Sequence, residues 1–224
     1  MYLNGSIFPL ILTLHSLELP QTSIYPAFML GMTTYLFILL CNLTIVVTIC
    51  LNRNLHKPMY ILLLNMPIND AMGATSLFPQ LLYSIWSQDR SISYSACLLQ
   101  GFIVHLYGGA SYVILTAMAY DRYIAICCPL RYGAILTTNN LSDAKIKALQ
   151  TCGTHLVVFL FLEFNTLFPL LAHRSESVPA HLRRVFSISV LVFPPIVNPL
   201  IYGFKTQEIR QKILTCFKRK IISV

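Results

Sequence analysis

Two acids stand inside apolar runs, and they are the first residues whose chemistry asks for an explanation. Asp70 interrupts the stretch from Met59 to Trp86, and Glu163 the stretch from Leu149 to Leu171. An acid at bilayer depth is costly and usually faces a bundle interior or a water-filled cavity. Such a pair could pass protons or ions, meet a polar or ammonium group of a ligand, or hydrogen-bond a neighbouring helix. A third cluster, Asp121-Arg122-Tyr123, closes a run from 91 to 120 that holds no Asp, Glu, Lys or Arg. Its arginine stays charged and presents a fork of donors. That suits engagement of a partner or plain anchoring at a membrane surface. Pro194, Pro195 and Pro199 fall in one apolar run with Asn198. Proline removes a backbone donor and clashes with the preceding turn, so this run holds either a bending point or a fixed kink. Enzyme chemistry is not indicated: there is no nucleotide loop, no metal cluster and no nucleophile beside a base. His56, His105 and His155 lie on separate stretches.

The elements that would position these residues are membrane helices. The chain has 224 residues, 56% apolar and 11% charged, with a mean hydropathy of +0.66. Soluble domains carry about 25% charged residues, so an ordinary soluble globule and a disordered chain are both excluded. The net charge is +8. Its basic residues sit between apolar runs, which fits membrane topology rather than nucleic-acid binding. The seven cysteines fit neither a zinc pattern nor a disulfide framework. No cleavable signal sequence is evident, and the first span is expected to direct insertion itself.

One membrane domain, 1–224, is expected, with spans at about 26–51, 59–86, 95–126, 149–171 and 185–204. The polar stretch from Pro129 to Ala148 cannot hide a sixth. Ile209, Ile213, Cys216 and Phe217 repeat at helical spacing among basic residues, so about 206–221 reads as an amphipathic helix on the membrane surface. With this topology twelve Lys/Arg fall on the side of the tail and four on the other. The tail is then cytoplasmic and the N-terminus outside. Asn4-Gly5-Ser6 becomes a glycosylation sequon on the correct side. Cys216 is a palmitoylation candidate or a plain buried cysteine.

Four motifs, in order and each on a consistent side, carry a resemblance. They are LHKPMY (Leu55–Tyr60), MAYDRYIAICCPLRY (Met118–Tyr132), KALQTCGTH (Lys147–His155) and PPIVNPLIYGFKT (Pro194–Thr206). Together they resemble the odorant receptor family of rhodopsin-like G-protein-coupled receptors, and the CGTH and YGFKTQEIR wording looks most like its class I branch. The resemblance covers nearly the whole chain. It implies an all-α, rhodopsin-like bundle that binds small odorants and signals to a heterotrimeric G protein from the plasma membrane. No cofactor and no nucleic acid is implied.

The family has seven spans where this chain shows five. After Leu130-Arg131-Tyr132 one short loop leads to the approach of the family's sixth helix, so the equivalents of the fourth and fifth helices are absent. The resemblance implies that Asp121, Arg122 and Tyr123 form the G-protein switch, with Asn198, Pro199 and Tyr202 moving on activation. It also implies a water- or sodium-linked network among Asn42, Asp70 and Asn198, for which a purely structural network is the alternative. His105, Gly108, Gly109 and Tyr112 would face the ligand pocket, with Phe164, Thr166, Leu167 and Leu170 opposite, or else serve helix packing. Glu163 stands where the family commonly has tyrosine. Cys97 sits where the family forms a disulfide to the second extracellular loop, and here that loop is absent. A chain lacking two helices is expected to fold poorly, to be held in the endoplasmic reticulum and not to signal. The alternatives are a fragment that pairs with intact receptors, and a small transporter using Asp70 and Glu163. The sequence shows no internal repeat of the kind many transporters carry.

Overall fold

The structure, a computed structural model, describes residues 11–13, 20–89, 91–127, ten positions between 153 and 171, and 179–222. Within these, a number of side chains are not described, among them those of Arg122, Lys205 and Cys216. Asn4, the loop 129–148, His155, Thr166 and Leu170 also lie outside the described residues.

The fold is an all-α membrane bundle. Helix α1 (Gln21–Leu51) is followed by a single 3-10 turn, Arg53–Leu55, and by α2 (Pro58–Ser87). Helix α3 covers Tyr94–Cys127, α4 covers Ala180–Lys205, and α5 covers Gln207–Ile222. The described positions from Gly153 to Leu171 are all helical. The regions Gln21–Leu51 and Tyr94–Asp121 are long and apolar enough to cross a membrane, and Leu191–Gly203 is a shorter apolar helix.

Local chemistry sets the boundaries. Lys57-Pro58 starts α2, because proline fits a first turn whose N–H groups have no intrahelical partner. At its other end Gln88 adopts a left-handed φ of 55°. The turn holds through side chains: Gln88 Nε2 donates to Ile85 O, the Asp89 N–H to Ser87 Oγ (3.1 Å), and the Ser91 N–H to Asp89 Oδ1 (2.9 Å). That turn leads into strand β2 (Ser91–Ser93), which pairs antiparallel with β1 (Ile11–Thr13), Leu12 opposite Ile92. Helix α1 begins five residues before Pro26, the expected start of its span. A proline there removes one donor but leaves the helix unbroken.

Helix α2 lies at the centre and packs on α1, α3 and α4, while α1 also meets α4 and α5. The larger core gathers at the end carrying the 3-10 turn and α5, hereafter the basic end. Ile45, Ile49, Leu55, Leu63, Met66, Leu115, Met118, Tyr202 and Ile209 are buried there. A smaller cluster of Ile38, Ala74 and Phe78 lies toward the strands. The rest of α1 presents Leu30, Leu36, Phe37, Leu40, Leu43 and Val47 to the surroundings. In a soluble protein that stripe would be a liability; in a bundle it is the lipid face. Tyr25 meets Trp86 edge-on and Phe28 meets it at a tilt at the strand end, with ring centroids 6.1 and 5.1 Å from the indole. Aromatic groups of this kind suit a membrane–water boundary.

Candidate functional site

Helices α1, α2 and α4 meet around three buried polar side chains, Asn42, Asp70 and Asn198, each no more than 1% exposed. Asn198 Nδ2 donates to both Asp70 oxygens, at 3.0 Å to Oδ2 and 3.3 Å to Oδ1. A buried carboxyl without such a donor would carry a desolvation cost of several kcal/mol, on the order of that for an unpaired ion.

Asn42 has a different task. Pro199 has no N–H, so the carbonyl four residues earlier, that of Pro195, loses its intrahelical donor. Asn42 Nδ2 fills the vacancy from α1, donating to Pro195 O at 2.9 Å and to its own Ile38 O at 2.9 Å. The three prolines thus stand inside a continuous helix, and a side chain of another helix holds its weak point. Asn42 Oδ1 and Asn198 Oδ1 are buried with no partner among the described residues. Tyr202 is buried in the core of the basic end, one helical turn beyond Asn198 on α4. The structure therefore brings Asn42, Asp70, Asn198, Pro199 and Tyr202 together.

Sequence reasoning missed the α2–α3 seam. Asn69 Nδ2 donates to Tyr107 O (3.0 Å) and Ser111 Oγ (2.9 Å), and Ser111 Oγ donates to Tyr107 O at 2.9 Å. Gly73 makes the close approach possible, because a Cβ there would lie 2.6 Å from the Tyr107 ring. The usable signal was a second polar residue, Asn69, beside Asp70, and a glycine one turn further along the same face.

The residues assigned to a ligand pocket are differently placed. His105 and Gly109 are exposed on α3, and His105 Nδ1 lies 2.7 Å from Gly101 O. A Cβ added to Gly108 or Gly109 meets no atom within 4 Å among the described residues. Tyr112 is half-buried and packs edge-on against Phe159, with centroids 5.8 Å apart. Phe164 meets Phe186 of α4 at 6.5 Å, and Leu167 is exposed. Glu163 is half-buried. At the basic end Asp121 is half-buried and Tyr123 exposed. Cys97 is a free, half-buried thiol near the strand end of α3. Lys57 and Glu208 form an ion pair at 3.3 Å that ties the α1–α2 connection to α5.

The comparisons with known proteins decide the family. The family model described as "Olfactory receptor" matches residues 32–144 and 140–220, most of the chain. This chain belongs to the olfactory receptor family. Olfactory receptor 52B2 of Homo sapiens is 27% identical over 80% of this chain and 83% of its own. Olfactory receptor 52J3 of Homo sapiens is 25% identical over 84% of this chain and 89% of its own. Olfactory receptor 1500 of Rattus norvegicus is 36% identical, over 71% of this chain and 52% of its own. Membership makes this olfactory receptor chain a multi-pass membrane receptor of the G-protein-coupled class rather than an enzyme, and gives it an odorant receptor's general function.

The alignments also carry a gap. The alignment to 52B2 runs over 269 positions but holds only 80% of a 224-residue chain, which leaves about a third of its positions with no residue from this chain. The two family-model matches meet at 140–144, between the α3 motif and the KALQTCGTH motif.

Proposed function

We propose that this chain is an odorant receptor whose switch core is intact and whose ligand-binding half is incomplete. The observation that carries the reading is the Asn42–Asp70–Asn198 junction around Pro195 and Pro199. It links α1, α2 and α4 where Pro199 deprives α4 of a backbone bond. Such a junction is a natural place for a helix to change its bend, with Tyr202 beside it. The hard oxygens of Asp70, Asn42 and Asn198 suit water or sodium between them. Asp121, Arg122 and Tyr123 at the basic end would then meet the G protein, and that end would face the cytoplasm. Asn4 would carry the glycan on the opposite side.

The ligand side lacks walls in this reading. The alignment gap and the break at 140–144 support the absence of two helices between α3 and the 153–171 segment. That no described residue comes within 4 Å of a Cβ added at Gly108 or Gly109 supports it from the structure. His105, Gly108, Gly109, Tyr112, Glu163, Phe164, Thr166, Leu167 and Leu170 would form what remains of the odorant site. An open α3 face in lipid is expected to slow folding and hold the protein in the endoplasmic reticulum. The test is an epitope-tagged chain expressed with an olfactory G protein and a cAMP reporter. Reticular staining and no odorant-evoked cAMP are expected. A cAMP rise from the chain as it stands would overturn the proposed impairment.

A second reading draws on the same face. Phe102 and Val113 of α3 are 65% and 69% exposed, and an intact receptor could cover them. The fragment would then restrain a relative's traffic. Co-purification with a full-length olfactory receptor, and not with an unrelated membrane protein, is the expected result.

A further inference from the structure

We infer that a groove between α1, α4 and α5 is a binding site for one anionic phospholipid. The groove has a volume of about 220 Å³. Cys41 and Thr44 of α1 form one wall, Leu200 and Gly203 of α4 the second, and Leu214 of α5 the floor at the basic end. Arg210 supplies the one charged group on its rim. Pro199 also lines it, so the groove adjoins the Asp70 junction, but Asn42, Asp70 and Asn198 are not among its lining residues.

Three observations fix the occupant. The groove adjoins the exposed α1 stripe of Leu40, Leu43 and Val47, so it is reached from the hydrocarbon region rather than from water. Its walls are almost wholly apolar and partly exposed, which suits an acyl chain lying lengthwise. At the rim Arg210 is exposed and makes no ion pair among the described residues, whereas the nearby Lys57 is already paired with Glu208. A guanidinium at the end of an apolar channel at headgroup depth matches a phosphate with its two forked donors. Basic residues beside a membrane favour anionic lipid in general. Here the charge and the channel together specify one molecule and its orientation.

The experiment uses membranes that carry the full chain, whether reticular or plasma membrane. Photo-crosslinkable phosphatidic acid and phosphatidylcholine with the same acyl chains are added separately, and the labelled peptides are located by mass spectrometry. Phosphatidic acid is expected to label 41–45 or 200–214 at least about fivefold more than phosphatidylcholine, as a charge-assisted contact of one to three kcal/mol implies. Arg210→Ala is expected to remove most of that preference, and Arg210→Lys to keep part of it. Cys41→Phe, which fills the channel without touching the charge, is expected to lower labelling by both probes. Lys212→Ala, on the other side of α5, is expected to leave the pattern unchanged. Equal labelling by the two probes would overturn the inference. So would an equal loss with Arg210→Ala and Lys212→Ala, which would mean general surface attraction.

Discussion

The Asp70 junction and the outer face of α3 are built from similar residue types and end in opposite states. Both mix small and polar residues with apolar ones. At the junction and the adjoining α2–α3 seam these residues meet neighbours that explain them: Asn42 donates to the carbonyl freed by Pro199, Asn198 to Asp70, and Gly73 admits the Tyr107 ring. On α3, Gly108 and Gly109 admit nothing that the structure describes, and His105 turns back to its own helix. A glycine or histidine inside a membrane helix is a demand for a partner. In the proposed reading, the junction meets that demand and the α3 face lacks the helix that would meet it.

Matched glycine substitutions should show the difference most strongly. Gly73→Ala forces a methyl into the Tyr107 ring and is expected to cost about 1–3 kcal/mol through overpacking. Gly109→Ala meets no described atom within 4 Å and gains helix propensity, so it should be neutral or stabilising by up to about 1 kcal/mol. Thermal unfolding of both variants in nanodiscs checks this, and equal destabilisation would erase the contrast. Next in size is Asn42→Leu. It leaves Pro195 O buried without a donor and is expected to cost about 1–3 kcal/mol. Restoring the backbone donor with Pro199→Ala should recover part of that loss, which a double-mutant cycle reads directly.

Smaller effects are expected at the surface. Lys57 and Glu208 are 61% and 50% exposed, so breaking their pair by Lys57→Ala should cost no more than about 1 kcal/mol and vanish at high salt. Smallest is the turn before β2. The Ser91 backbone N–H holds the Asp89 carboxyl below its usual range. Because the folded value is depressed, this contribution is present above the unfolded value of about 3.9 and fades as pH falls through the folded one. The Ser91 amide should therefore lose protection on acidification below about pH 4 in the native chain, but not in Asp89→Asn.

The helices were legible because each apolar run is long and closed by a charge or a proline. The family was legible because four motifs keep their order. Asp70 and Asn198 stood out for the same reason that the junction exists: polar groups in lipid must find each other. The β1–β2 pair was not legible. Ile11–Thr13 and Ser91–Ser93 are three residues each, too short for a pattern to stand out, and are separated by two helices with no turn signal linking them. Nor was the Asn69–Ser111 seam, since neither residue belongs to a recognised motif and their meeting depends on how closely α2 and α3 approach at Gly73. The role of Asn42 in replacing a proline's lost donor needs two helices at once, and no single segment reveals it.

The central claim is that the switch core is whole and the ligand side lacks two helices. The most direct measurement compares this chain with a chimera in which the corresponding stretch of a full-length relative is inserted after Tyr132. Both are expressed with the same G protein and read by surface staining and cAMP against an odorant panel. The chimera is expected to reach the surface and respond, while the present chain stays inside and silent. A response from the present chain equal to that of the chimera would contradict it.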